Sequence, residues 1–277
     1  MANTTRSQIT VENTEFYSRV LLFRAVPLFL HTKFAQVRDI PRNGGTNVIK
    51  FRRYGNLTAA TTALTEGVTP AGSQLSITDV SATVAQYGDY VTITDRVDYE
   101  SKDPVLTETA EILGDQMGDT LDQLTRDVIV AGTVVYYSGA SSTSRVTVGS
   151  TDLIDAGDIK IAVRTLKVAK ARRITRMINA STGIATEPVN AAYIGLCHPN
   201  TTYTLKGLTG FTSVEKYAST VNVMDGEVGK LDEVRFIEST NCKVFTAGGE
   251  SSIDVYATVI FGMDAYGISR ISGESVK

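Results

Sequence analysis

Cys197 and His198 are adjacent in the chain, and a thiol beside an imidazole is the pairing from which cysteine hydrolases draw nucleophile and base. Neighbours on a strand point to opposite faces, which works against a direct Cys–His pair at this position. The sequence therefore reads as a buried thiol followed by a loop histidine before Pro199. A hydrolase built on the two is the enzymatic alternative. Asp152, Asp155 and Asp158 recur every third residue, so on a helix they would lie along one face and could hold a cation. The same carboxylates at a helix start would complement its dipole, and that is the reading the sequence favours.

Other chemistry finds little support. The second histidine, His31, is far away in sequence, the second cysteine, Cys242, forms no CxxC pair, and a zinc site has no ligand set. No GxxxxGK[ST] or GxGxxG string stands between a strand and a helix. The run KIAVRTLKVAKARRITR, Lys160 to Arg176, could contact phosphates, but it lacks the interleaved aromatics of a stacking platform. As one face of an amphipathic helix it reads first as a solvated surface. No catalytic residue, metal site or cofactor is expected.

The 277 residues are 42% hydrophobic and 21% charged, with a formal net charge of -3. That is ordinary for a globular protein and excludes both a strongly basic nucleic-acid binder and an acidic tail protein. The charge is unevenly placed. Glu100 to Asp127 holds eight carboxylates against Lys102 and Arg126, whereas Ile159 to Ala180 holds seven basic residues and no acid. The polar N-terminus does not read as a signal peptide. The most apolar run, Val20 to Leu30, contains Arg24 and Pro27 and falls short of the ~20 residues that span a bilayer. The expectation is a soluble protein that assembles where it is made, with no membrane partner.

The most informative stretch is Thr46 to Val97, strand-like at both ends with a long ribbon of Thr, Ala, Gly and Ser between them. Such a ribbon has too little apolar surface to offset its own ordering entropy and must lie on something else. Val48 to Tyr54 alternates as a strand. Glu66 to Ser73 suits a loop tip, Leu75 to Val84 returns with a phase slip that predicts a bulge near Asp79, and Tyr90 to Val97 alternates again. Residues 1–12 read as an arm, Asn13 to about Ala35 as a helix kinked or ended at Pro27, and Asn43-Gly44-Gly45 as a turn.

A long helix follows, with Asp103 as N-cap and Pro104 at its first position. Leu106, Ala110, Leu113, Met117, Leu121, Leu124 and Val128 recur at spacings of four and three, predicting one face packed on a core and an acidic face opposite. Beyond Gly132 the sequence predicts a short Tyr-rich strand and a Ser/Gly loop. A second helix then runs from Leu153 to about Arg173. Strands follow at Tyr193–Cys197, Val234–Glu238, Val244–Ala247 and Ile253–Gly262, with small helices or turns near Pro199–Lys206 and Val214–Ala218. Helices and strands do not alternate as in a doubly wound sheet, so the class is α+β.

Several long strings carry a resemblance. LTEGVTPAGSQLSITDVSATVAQYGDYVTITD (Leu64 to Asp95) resembles the extended-loop segment of tailed-bacteriophage major capsid proteins. HPN at His198, KYA at Lys216, GEVGKLDEVRFIEST at Gly226 and VYATVIFGMDAYGI at Val255 fit the same family, most closely the N-four-like podophage capsid proteins. The resemblance implies a Hong Kong 97-type fold. It would comprise an N-terminal arm (1–45), an extended loop (46–97), a peripheral domain with its spine helix (98–150), an axial domain (151–233) and return strands (234–277). It implies a non-enzymatic major capsid protein that self-assembles into the hexamers and pentamers of an icosahedral head around double-stranded DNA. The virion shell would be its location, after assembly in the host bacterial cytoplasm. Partners would be further copies, a portal, a separate scaffolding protein and decoration proteins, with only weak non-specific contact to DNA. An encapsulin-like nanocompartment shell shares the fold and is the rival reading. For contacts between subunits, the basic strand residues Lys50, Arg52 and Arg53, the loop acid Glu66 and the helix acids Glu108, Glu111, Asp115 and Asp119 are the candidates, since opposite charges steer association.

Overall fold

Residues 186–197 read TEPVNAAYIGLC, and the last seven are nearly all apolar or small. A strand apolar on both sides belongs in the middle of a sheet covered on both faces. The computed structural model, which describes residues 29–40, 47–100, 105–139, 142–178, 186–217 and 223–271, places it there. In chain order the strands are β1 (Gln36–Ile40), β2 (Val48–Tyr54), β3 (Ile77–Thr83), β4 (Ile174–Ile178), β5 (Thr186–Cys197), β6 (Thr212–Ser213) and β7 (Glu227–Leu231), followed by β8 (Val234–Glu238), β9 (Val244–Phe245), β10 (Val255–Tyr256), β11 (Val259–Phe261) and β12 (Gly267–Ile271). The helices are α1 (Asp95–Glu100), α2 (Val105–Val130), α3 (Ala156–Val168) and α4 (Pro199–Lys206), with single 3-10 turns at Arg145–Thr147, Val214–Lys216 and Glu250–Ser252.

The chain forms two units. One contains residues 90–115, and so holds α1 and the first part of α2. The other contains residues 27–89 and 116–277. The larger unit is organised by a six-stranded sheet in the order β11-β5-β8-β7-β6, with β4 also paired to β5. β5 and β8 are parallel, with Gly195 opposite Phe236. Along these two strands alternate residues divide between two cores. Ile194, Leu196 and Ile237 pack with Leu30, Met224, Cys242 and Phe261. Tyr193, Cys197, Val234 and Phe236 pack with Ile159 and Val163 of α3 and Leu205 of α4. Because β8 is bonded to both β5 and β7, residues on either side of position 233 share one sheet.

Local signals explain the boundaries of α3 and α4. At α3, Asp155 accepts a hydrogen bond from the Asp158 N–H while Asp158 accepts one from the Asp155 N–H, a reciprocal capping box. The helix ends earlier than the sequence reading to Arg173. Lys170 adopts a left-handed φ of 55°, and the bonds Lys170 N–H to Lys167 O and Ala171 N–H to Leu166 O close a Schellman motif with lysine where glycine is usual. At α4, His198 is the N-cap and Pro199 opens the first turn.

Other expectations are corrected. β3 pairs with β2 in unbroken register, Arg52 opposite Asp79, so no bulge interrupts it. The apolar phase slips because this strand is exposed on both sides, and no core holds its residues to one face. Tyr90 to Val97 is not a strand: residues 90–94 have no regular structure and α1 begins at Asp95. Alternation marks a possible strand face, but a ladder also needs a partner. The Tyr-rich segment after Gly132 is likewise irregular. Residues 31–34 turn and β1 follows, so no helix continues to Ala35. The rest of that helix, the N-terminal arm, the Asn43-Gly44-Gly45 turn and the Asp103-Pro104 cap lie outside the described residues.

The face assignment of α2 is reversed. The apolar stripe that periodicity assigns to the core is open in the larger unit, with Met117 67%, Leu121 46% and Val128 74% exposed, whereas Asp122 is fully buried. A polar network accounts for this. The Asp122 carboxylate accepts from the His31 backbone N–H, from His31 Nδ1 and from Asn241 Nδ2, each at 2.8 Å. Tyr266 donates its hydroxyl to His31 O at 2.6 Å, and Arg126 donates to Asn241 O at 2.9 Å. Gly118 supplies the close approach: a Cβ there would stand 2.8 Å from the Phe29 ring.

Candidate assembly surface

β2 and β3 form an antiparallel pair over seven residues each, extended at both ends by Gly55 N–H to Ser76 O and Val84 N–H to Asn47 O, both 2.8 Å. Phe51 anchors the base of this hairpin against Gly267 of β12, where any Cβ would stand 2.7 Å from the ring. β12 pairs in parallel with β1, Gln36 opposite Gly267 through Ile40 opposite Ile271. Past Gly55 the ribbon has no ladder, and every residue from 56 to 76 is exposed. Its tip is a turn closed by Val68 N–H to Thr65 O at 3.2 Å, with Gly67 at a φ of 77°, the left-handed conformation that glycine adopts without strain. Leu64 and Val68 flank that turn and are 76% and 63% exposed.

The charged candidates are distributed as follows. Arg52 bonds to Asp79 across the hairpin at 3.0 Å, while Lys50 and Arg53 lie exposed on β2. Glu66 sits in the exposed tip turn. On α2, Glu111 is exposed, Glu108 and Asp115 are half-buried, and the half-buried Asp119 accepts from Gln123 one turn on at 2.6 Å. The acidic row is thus not one solvated face: Asp122, which continues it, is inside. Sequence reasoning missed the role of Asp122, His31 and Asn241. Its one available signal was a histidine and an asparagine of no assigned use at the edges of apolar runs.

The chemistry-bearing residues take structural roles. The Cys197 thiol is fully buried, and burial pushes it up to about 11. Its sulfur lies 3.3 Å from Thr202 Oγ1, whereas the His198 imidazole turns to accept the Asn200 N–H as a helix cap. The thiol and the imidazole that a cysteine hydrolase would pair therefore do different jobs. Of the three aspartates, Asp155 and Asp158 make the capping box, and Asp152 accepts from Gly149 N–H and Ser142 Oγ, both at 2.9 Å. They line an open depression with Tyr137, Gly139 and Ile161, and one oxygen of each carboxylate is bonded within the chain. Among the described residues no cluster of His, Cys, Asp and Glu could hold a metal ion, and no helix is long and apolar enough to cross a membrane. In the basic run, Lys160 and Arg164 of α3 are exposed, while Lys167 of α3 and Arg173 beyond it share Glu233 at 2.5 and 2.8 Å. Part of the counter-charge for that run comes from its own subunit.

Comparisons with known proteins agree with this geometry. The profile of a phage capsid protein family matches residues 77–269. Among solved structures, the chain is similar to the capsid of Ralstonia phage GP4, at 13% identity over 95% of this chain and 83% of that one, with a TM-score of 0.62. The capsid of cyanophage P-SCSP1u aligns at 14% identity over 94% and 80% of the two chains, with a TM-score of 0.61. The head structure of Helicobacter pylori bacteriophage KHP40 aligns at 15% identity over 86% and 65%, with a TM-score of 0.55. No curated protein matches the chain. The α+β arrangement is that of the Hong Kong 97-type capsid proteins. The chain belongs to the phage capsid protein family and is a structural component of the virion.

Proposed function

We propose that this chain is the major capsid protein of an N-four-like podophage, assembling through hexamers and pentamers into an icosahedral head around double-stranded DNA. The observation that carries the reading is the unsupported ribbon from 56 to 76, exposed throughout and paired only at its base. A lone two-stranded arm is marginal in water, so its order has to come from neighbouring copies. Residues 46–97 then act as the extended loop, 98–150 as the peripheral domain around α2, 151–233 as the axial domain, and 234–277 as the returning strands. The β7–β8 hairpin joins the last two in one sheet. Lys50, Arg53 and Glu66 on the loop and Glu108, Glu111, Asp115 and Asp119 on α2 are the candidate contacts between copies. Arg52, held by Asp79, serves the hairpin first. Assembly takes place in the host cytoplasm with a portal, a separate scaffolding protein and decoration proteins, and DNA is touched weakly and without base specificity.

Deleting residues 59–72 tests this. The expected product is a folded, dispersed subunit with unchanged far-ultraviolet circular dichroism and no particles by electron microscopy. Normal shells from the deletion would refute the loop's role. Recovery of phage DNA from particles isolated from infected cells separates a phage head from a cellular nanocompartment.

A further inference from the structure

We infer that His198 is an acid-sensitive latch: its neutral imidazole holds the first turn of α4 closed over the Cys197 thiol and braced against β10, and protonation of Nδ1 releases that turn. The latch belongs to the single subunit and stands or falls apart from the shell reading.

Three side chains close a triangle. His198 Nδ1 accepts the Asn200 N–H at 3.2 Å, and the Asn200 side-chain amide donates to the Tyr256 hydroxyl at 2.7 Å. The Tyr256 ring in turn lies against the imidazole, with centroids 4.9 Å apart. The start of α4 is thereby pinned to β10. Helix caps are ordinarily Ser, Thr, Asn or Asp, none of which changes charge between pH 5 and 8. An imidazole does. Once protonated, both of its nitrogens are donors, so Nδ1 no longer accepts the Asn200 N–H. The new positive charge also meets the positive end of the helix dipole.

The groups that bear on the ring are Asn200 of α4, Tyr256 of β10 and Glu238 at the end of β8, and Glu238 is the charged one. Burial of the ring holds His198 below the usual histidine value, against the pull of Glu238 in the other direction. A depressed closed-state value means the stabilisation is complete above the open-state value, about 6.5, and is lost as pH falls through the closed-state one. What the turn covers supplies a readout. Thr202, one turn into α4 and 2% exposed, places its Oγ1 3.3 Å from the Cys197 sulfur. Cys242 packs in the other core, with Ile194 and Leu196. Opening the start of α4 uncovers one thiol and not the other.

Dithiodipyridine, which titrates thiols in mild acid, tests the latch on the dispersed subunit from pH 7.5 to pH 5, each rate taken relative to that in urea at the same pH. The ratio for Cys197 is expected to rise as pH falls below about 6.5, by up to about tenfold per pH unit, while Cys242 stays slow. His198→Asn caps the helix without titrating and is expected to hold the ratio at its slow level throughout. A Cys197 ratio indifferent to pH, a rise that persists in His198→Asn, or an equal rise at Cys242 would each overturn the latch. Hydrogen exchange of the wild-type chain decides the same point without a variant. Protection at residues 200–203 should fall over the same pH range while α3 keeps its own, and a uniform loss, or none, would count against the latch.

Discussion

Asp122 grips His31 at two points, taking the backbone N–H on one carboxylate oxygen and Nδ1 on the other, both at 2.8 Å. His31 Nε2 is buried with no hydrogen-bond partner among the described residues, so the ring is held entirely from one side. Asn241 adds a third bond to the same carboxylate. The clasp ties the segment before β1 and the loop after β8 to the middle of α2.

Removing the carboxylate leaves three buried donors without an acceptor. Asp122→Ala should therefore lose about 3 kcal/mol of stability. Asp122→Asn keeps one acceptor oxygen and should lose less. Urea unfolding followed by circular dichroism measures both, and an unchanged midpoint for Asp122→Ala would mean the clasp contributes nothing.

Acid should weaken the subunit through the same group. Burial alone would raise the Asp122 carboxyl, but the contacts with His31 and Asn241 outweigh it and hold the group below the usual carboxylate range. Asp127 shifts the same way: burial raises it, and Arg126 and Lys243 together bring it down. A depressed folded value means the stabilisation is complete above the unfolded carboxyl's range, about pH 4, and is lost as pH falls through the folded value. Melting temperatures from pH 6 to pH 2 should fall steeply at the acid end, and less steeply in Asp122→Asn.

Both thiols should be inert. Burial pushes Cys197 up to about 11 and Cys242 up to about 12, so at pH 8 almost no thiolate is present. Labelling with a disulfide reagent should be slow in the native subunit and rapid in urea. Fast native labelling of Cys197 would reopen a catalytic role for it.

The charge contacts need variants that spare the hairpin. Arg52→Glu would set an acid against Asp79, so Lys50→Glu and Arg53→Glu are the cleaner pair. Exposed pairs are worth only about 0–1 kcal/mol each, but repetition around a ring multiplies them. Light scattering should show weaker assembly by the double variant at low salt, with the gap from wild type closing as salt rises. A gap indifferent to salt would mean the contact is not electrostatic.

What could be read from the sequence follows a physical line. Signals carried within a few residues were legible. The helix start among Asp152, Asp155 and Asp158, the short helix opening at Pro199, the strand at Val48–Tyr54 and the unbroken helix through Val130 each depend on near neighbours. The face of α2 was not legible. Periodicity shows that Met117, Leu121 and Val128 share a side, but not whether the surface that covers it lies in the same chain. The burial of Asp122 depends on residues 91 and 119 positions away, and nothing near Asp122 announces them. The tyrosines and valines of 90–97 failed for the opposite reason, since a local alternation had no strand beside it to pair with.

The clasp also sets a clock. His31 leaves the ribosome well before Asn241 and before the β12 partner of β1. At about 5–20 residues per second, the first part of the subunit waits on the order of ten seconds or more for groups that complete it. Contacts this distant in sequence also form slowly once available. A nascent chain therefore holds an unfinished hairpin base and an unclasped helix until those later residues have emerged. Until then the hairpin base and the α2 clasp, on which the proposed contacts between copies depend, are both incomplete.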